Sequence, residues 1–284
     1  MTVLAPLTVR DVVDALRGDP ELQLLAGGTD FMVEVNFGHR RPPGVISLHR
    51  VAELRGWQRD GDVLTLGAGL TYAEMERPPL ADLLPALAQA ARTVGSPQIR
   101  NAGTLGGNLA TASPAGDALP VLAALDATIV LEGSAGRREI PLGEFVTGVK
   151  RTSRARDEVV VAARVPVLRG PQEFLKVGTR NAMVISIVTV ALVVDLDGRT
   201  LRCGLGSVSP VPLRATAAEA AATEHVDWER GRISDPAVYD RFGALAAAAT
   251  NPIDDQRGTA AYRRHAVAVC AARALRRALP PAEG

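Results

Sequence analysis

Two well-separated glycine pairs constrain this chain more than any other feature: Gly27-Gly28 in LQLLAGGTDFMVEV, and Gly106-Gly107 in VGSPQIRNAGTLGGNLATASPAGDALP. In the first, the apolar run from Leu22 to Ala26 reads as a short strand, and the residues after Thr29 read as an amphipathic segment. A strand that ends on adjacent glycines can turn several backbone N–H groups toward one point, and the missing Cβ atoms let an anion come close. Thr29 adds a hydroxyl, and the start of the following helix adds a favourable dipole. Asp30 suits a helix cap better than a phosphate contact. The second segment repeats the recipe with Thr104, Leu105, Gly106, Gly107 and Asn108. Either segment alone reads as an ordinary turn, whereas the two together fit a diphosphate held from both sides.

Neither segment is one of the better-known phosphate loops. There is no GxxxxGK[ST], which argues against a P-loop nucleotidase, and no GxGxxG at a strand-to-helix junction, which argues against a Rossmann dinucleotide fold. GLGSVSP, from Gly204 to Pro210, has only the first two glycines and reads as a strand end and turn.

Composition narrows the rest. The chain has 284 residues, enough for about two domains. Its 32 basic side chains against 31 acidic ones mark nothing for nucleic acid or a charged membrane face. Each apolar stretch is broken by Arg, Asp, Glu or Pro well short of a membrane span, and the start MTVLAPLTVRDVVDAL lacks the pattern of a secretion signal. A cytoplasmic location is the expectation. Cys203 and Cys270 are too few for an iron-sulfur cluster, and His39, His49, His225 and His265 lack metal-ligand spacing. No metal site is expected, so metal chemistry would come from another chain.

Along the chain, Thr8 and VRDVVDALRG read as an N-capped helix, Asp62 to Gly69 as a strand, and Thr71 to Glu74 as a capping box. Leu80 to about Thr93 reads as one helix, and the glycine-rich run after it as loose connection. Leu119 to Ala127 reads as helix, Thr128 to Glu132 as strand, and Glu158 to Val165 as a β-branched strand. VPVLRGPQ, from Val165 to Gln172, is the candidate linker. Beyond it, Ile185 to Leu196 and Thr200 to Val208 read as a hairpin turning at Asp197-Gly198. Two alanine-rich helices end the chain, the last with Val267, Cys270, Ala271, Ala274, Leu275 and Ala278 on one face.

LLAGGTDFMV together with VGSPQIRNAGTLGGNLATASPAGDALPVLAALDA closely resembles the FAD-binding, or medium, chain of the molybdenum hydroxylases. This is the family of xanthine dehydrogenase, carbon monoxide dehydrogenase and related aldehyde and purine dehydrogenases. The resemblance implies an α+β fold. A two-lobed FAD-binding domain of the vanillyl-alcohol-oxidase type would occupy residues 1–167, and a smaller α+β C-terminal flavoprotein domain residues 172–280. It implies that Leu24, Leu25, Ala26, Gly27, Gly28, Thr29, Asp30 and Phe31, with Thr104, Leu105, Gly106, Gly107 and Asn108, hold the FAD pyrophosphate. Asp117 resembles a further cofactor contact, with a plain helix N-cap as the alternative.

Val160, through a main-chain group, and Lys176 resemble positions beside the isoalloxazine ring. A cation at the flavin N1/C2=O edge would stabilise the anionic reduced ring and raise its potential, whereas a Lys at a strand end is usually solvated. Where some members of the family carry an aromatic side chain near the flavin, this chain has Met183 and Val184. The implied activity is electron transfer: an iron-sulfur subunit and a molybdopterin-binding large subunit would feed FAD, which would reduce NAD, oxygen or another acceptor. The rivals are a flavin reductase of the UDP-N-acetylenolpyruvylglucosamine type with its own substrate domain, and a nucleotide-binding module without turnover.

Overall fold

A computed structural model of the chain describes residues 2–282. Its first lobe begins with β1 (Thr2–Leu4) and α1 (Val9–Gly18). The Thr8 hydroxyl accepts from the Asp11 N–H while the Asp11 carboxylate accepts from the Thr8 N–H, so two donors orphaned at the helix start are satisfied reciprocally. Val9, Val12, Val13 and Leu16 form the buried face of α1. The chain continues through β2 (Gln23–Leu25), α2 (Phe31–Asn36) and β3 (Gly44–Ser47), which complete a small parallel sheet in the order β1-β3-β2.

The second lobe opens with the hairpin β4 (Trp57–Asp60) and β5 (Val63–Gly67). A helical stretch follows: α3 (Tyr72–Met75), α4 (Leu80–Leu83), α5 (Pro85–Arg92), α6 (Pro97–Ala102), α7 (Leu105–Thr111) and α8 (Ala118–Ala124). Then come β6 (Thr128–Gly133), β7 (Gly136–Pro141), α9 (Leu142–Phe145), the hairpin β8 (Val146–Gly148) and β9 (Arg151–Thr152), and β10 (Val159–Pro166). β10 returns to the centre of an antiparallel sheet in the order β4-β5-β10-β6-β7.

Two expectations for this lobe are corrected. The helix from Leu80 to Thr93 is two helices, because Pro85 has no N–H to continue the first and instead starts the second at its N1 position. The glycine-rich run is largely helical. Ser96 accepts from the Ile99 N–H and Thr104 from the Gly107 N–H, and these caps start α6 and α7 in spite of the glycines.

The C-terminal part is an antiparallel sheet of β11 (Gln172–Val177), β12 (Val188–Asp195), β13 (Thr200–Gly206) and β14 (Leu213–Arg214). α10 (Thr216–Thr223), the short pair β15 (Val226–Asp227) and β16 (Arg232–Ile233), α11 (Ala237–Ala248) and α12 (Ala260–Ala278) follow. Alternation along β12 divides its side chains between two cores. Ala191 and Val193 join the core of the first two lobes, while Val190, Leu192 and Val194 join Val267, Ala271 and Leu275 of α12 in a second.

Candidate cofactor site

A cavity of about 1060 Å³ runs along the seam between the first two lobes, with every wall residue lying between Leu16 and Val160. Its volume suits a large organic cofactor. Leu24, Ala26, Gly27, Gly28, Thr29, Asp30 and Phe31 line it from one lobe, and Thr104, Gly106, Gly107, Asn108 and Val160 from the other. The two glycine segments therefore do converge. Leu25, Leu105, Asp117 and Lys176 stand outside the wall.

Close packing explains two of the glycines. A Cβ on Gly27 would lie 1.7 Å from the Ala102 carbonyl oxygen, and one on Gly106 would lie 2.6 Å from the Ala68 Cβ. Each glycine lets one segment close against another: Gly27 brings the first lobe against Ala102 of the second, and Gly106 seats α7 against the end of β5 within the second lobe. Gly28 has φ +72°, a left-handed conformation that side chains disfavour.

The two segments offer different chemistry, which corrects the picture of two equivalent cradles. Among the described residues, the N–H groups of Gly27, Gly28 and Thr29 donate to no turn or loop acceptor, so they are available to a ligand. In the second segment the backbone donors are already used. Leu105 N–H donates to the Leu70 carbonyl, Gly106 N–H to that of Ala68, Gly107 N–H to the Thr104 hydroxyl and Asn108 N–H to the Thr104 carbonyl. That segment can offer the Thr104 O–H and the Asn108 amide, whose Oδ1 is buried without a partner. Asp30 is not a cap either, since its side chain bonds to no helix N–H. It faces the cavity as a carboxyl raised above its usual range by burial, with Lys150 pulling the other way and Glu34 adding to the rise.

The wall also holds cations that sequence reasoning missed: Arg40, Arg55, Lys150, Arg154 and Arg156. Lys150 Nζ donates to Glu34 Oε1 at 2.7 Å and Arg40 Nε lies 3.1 Å from Glu34 Oε2, so α2, the segment after it and the β8–β9 turn are tied together. The Lys150 hydrogen bond holds the Glu34 carboxyl below its ordinary value. Burial lowers the pKa of Arg154, which donates to the carbonyls of Ala155 and Glu158. The signal for all of these but Arg55 was the basic clustering of HRR at 39–41 and KRTSRAR at 150–156, which stands out in a chain otherwise near neutral. Free N–H donors flanked by cations and a threonine hydroxyl are the donor set a nucleotide diphosphate requires.

Asp117 and Lys176 meet elsewhere. Lys176 Nζ donates to Asp117 Oδ2 at 2.6 Å and to the Thr93 carbonyl at 3.2 Å, with both side chains buried where the second sheet joins α5 and α8. Lys176 is thus neither solvated nor an uncompensated cation. Asp117 occupies the cap position of α8 but makes no cap bond. Burial pushes its carboxyl up to about 6, against the lowering pull of Lys176. Cys203 and Cys270 are buried in the second core, where burial raises both thiols, and no His, Cys, Asp and Glu cluster suited to a metal occurs among the described residues.

A two-lobed domain with a donor-lined cavity along its seam, followed by a second α+β sheet, is the architecture of a cofactor-binding chain, and comparison with known proteins specifies which. Residues 1–168 match the FAD binding domain in molybdopterin dehydrogenase, and residues 173–278 match the CO dehydrogenase flavoprotein C-terminal domain. The chain belongs to the FAD-binding medium subunits of the molybdenum hydroxylase family, of the xanthine and carbon monoxide dehydrogenase type. It is 32% identical over 226 residues to the xanthine dehydrogenase FAD-binding subunit of Escherichia coli O157:H7, covering 76% of each chain. To the carbon monoxide dehydrogenase medium chain of Hydrogenophaga pseudoflava it is 30% identical, covering 91% of this chain and 90% of that one. A solved structure of the Hydrogenophaga pseudoflava carbon monoxide dehydrogenase superposes with a TM-score of 0.89 at 31% identity, over 98% of this chain and 96% of that one. The relatives are FAD-containing oxidoreductase subunits, and FAD is the family's cofactor.

Proposed function

We propose that this chain is the electron outlet of a molybdopterin-dependent dehydrogenase. An iron-sulfur subunit delivers electrons, a molybdopterin-binding large subunit oxidises the organic substrate, and the acceptor is NAD or another oxidant. When bound, FAD supplies the exchange between one-electron donors and a two-electron acceptor. The chain's own residues supply position and electrostatics. Gly27, Gly28 and Thr29 N–H groups and the Thr29 hydroxyl bind the pyrophosphate, Gly106 and Gly107 close the wall against it, and Asn108 accepts from a ligand hydroxyl or N–H. Lys150 and Arg40 offset the phosphate charge. Asp117 and Lys176 act as positioning residues that fix the second domain against α8, beside the cavity domain. The proposed domains are residues 1–167 and 172–280, and the proposed location is the cytoplasm. None of the described helices is long and apolar enough to cross a membrane.

The observation that carries this reading is the seam cavity, where unspent N–H donors of one lobe face a threonine and an asparagine of the other. The segment after the cavity domain, residues 173–278, matches the CO dehydrogenase flavoprotein C-terminal domain, which favours this reading over the reductase rival. Co-purification with the partner chains, followed by anaerobic reduction with candidate substrates and mixing with NAD or oxygen, tests the reading. Flavin reduction that requires the iron-sulfur subunit supports it. Turnover of an organic substrate by the flavin chain alone overturns it.

A further inference from the structure

One carboxylate in the cavity wall holds two cations of the same wall. Lys150 Nζ donates to Glu34 Oε1 at 2.7 Å and Arg40 Nε lies 3.1 Å from Glu34 Oε2, so each carboxylate oxygen faces one positive charge. Backbone geometry sets both cations. Lys150 occupies the β8–β9 turn at φ +53°, a left-handed conformation that residues with a side chain disfavour, and its N–H donates to the Ala112 carbonyl just past α7. Arg40 lies beyond the end of α2, where its N–H and that of His39 donate to the Glu34 carbonyl. Its guanidinium sits 5.0 Å from the centre of the Phe31 ring. Phe31, Glu34, Arg40 and Lys150 line the same cavity as Gly27, Gly28 and Thr29, whose N–H groups are unspent. Two cations set around one anion, each on its own oxygen, is also how a phosphate group is held.

We propose that Glu34 is a built-in competitor of the cofactor: its carboxylate holds Lys150 and Arg40 whenever the diphosphate is away, and yields both cations to the diphosphate when FAD binds. The inference rests on the proposed seating of FAD in the seam cavity. Charge decides the exchange. The two phosphates match the two cations one for one, so a retained Glu34 would add a like charge to a matched set. Asp30, in the same wall, would add another. Release of Glu34 disturbs little, because α2 buries no side chain and the carboxylate's partners among the described residues are these two cations alone. The exchange also protects the seam. Glu34 belongs to the first lobe and Lys150 to the second, so the clasp ties the lobes together and keeps the two cations paired until the cofactor arrives. Loading of FAD is thereby weakened by the same contact that steadies the chain without it.

The test titrates the full chain, stripped of flavin, with FAD, with ADP as a diphosphate lacking the flavin, and with riboflavin as a flavin lacking the diphosphate. Glu34→Gln should bind FAD and ADP about threefold to tenfold more tightly, bind riboflavin as wild type does, and lower the Tm of the stripped chain. Affinity that rises while stability falls is the signature, since a residue that only supported the fold or aimed the cations would lower both. With Lys150→Gln and Arg40→Gln already in place, Glu34→Gln should bring no further gain. Unchanged or weaker FAD binding in Glu34→Gln overturns the proposal, and so does a gain that persists undiminished without the two cations. Thr29→Val and Lys150→Gln separate this failure from a deeper one. If both weaken FAD while Glu34→Gln brings no gain, the competitor alone is lost. If neither changes the FAD affinity, the seam is not the cofactor's seat and the reading beneath the proposal fails.

Discussion

Gly27 and Thr29 divide two tasks that the bare motif merges, packing and donation. Gly27 is fixed by the Ala102 carbonyl behind it, whereas Thr29 lines the cavity beside the free N–H groups. Thr29→Val keeps the shape and removes one donor to a charged phosphate, a bond of about 1.5 to 3 kcal/mol, so FAD should bind at least about tenfold more weakly. Flavin fluorescence titration of the apo chain checks this, and an unchanged Kd would remove Thr29 from the site. Gly106→Val behaves differently, because its side chain enters the Ala68 backbone. It should destabilise the fold by about 1 to 3 kcal/mol, read as a lower Tm even without cofactor.

Asp117 gives a pH signature. Its folded-state value near 6 lies above the unfolded value near 4, so the folded chain binds more protons between them and this group's contribution to stability falls as pH rises through that window. Urea melts should show wild type losing up to about 1 kcal/mol per pH unit relative to Asp117→Asn between pH 4 and 6. Parallel pH profiles would show that the carboxyl titrates normally.

At the scale of elements, what was legible in the sequence was what local chemistry decides alone. Thr8 with Asp11, and Thr71 with Glu74, announce helix starts because cap and acid lie three residues apart and need nothing from the rest of the chain. The buried stripe of α12 and the hairpin of β12 and β13 follow from periodicity in the same way. The glycine-rich run was misread because its glycines were weighed against helix while the caps at Ser96 and Thr104 were not. The convergence of the glycine segments was legible from their composition, but the spent N–H groups of the second were not. The Gly107 and Asn108 bonds are the local cap at Thr104, but those of Leu105 and Gly106 reach Leu70 and Ala68 of a strand-to-helix turn distant in sequence, and no local pattern records them. Thr104→Ala tests the cap. It should cost about 1 kcal/mol, a fall of about 2 to 4 °C in Tm for a chain of this size, measurable by calorimetry. No fall would mean that α7 is held by packing alone.

Across the whole molecule, one face of β11 joins the two cores. Gln172, Phe174 and Lys176 alternate onto the same side of the strand. The Gln172 side-chain oxygen accepts from the Ala86 N–H, the Phe174 N–H donates to Gln89 Oε1 at 2.7 Å, and Lys176 reaches Asp117 and the Thr93 carbonyl. The first two contacts are neutral, and the third is an ion pair withdrawn from water. Desolvation cancels much of such a pair's attraction, so its removal as a whole costs little, but the loss of one partner strands a buried charge. Lys176→Met should therefore destabilise the chain by about 3 to 5 kcal/mol at neutral pH, while Lys176→Met combined with Asp117→Leu should recover most of that loss. Urea unfolding followed by tryptophan fluorescence distinguishes the cases. Trp57 lies in the first part and Trp228 in the second, so a seam weakened by the single variant should also separate their transitions. A double variant as unstable as the single one would show that Lys176 works through its Thr93 bond and packing, with the carboxylate incidental to the join.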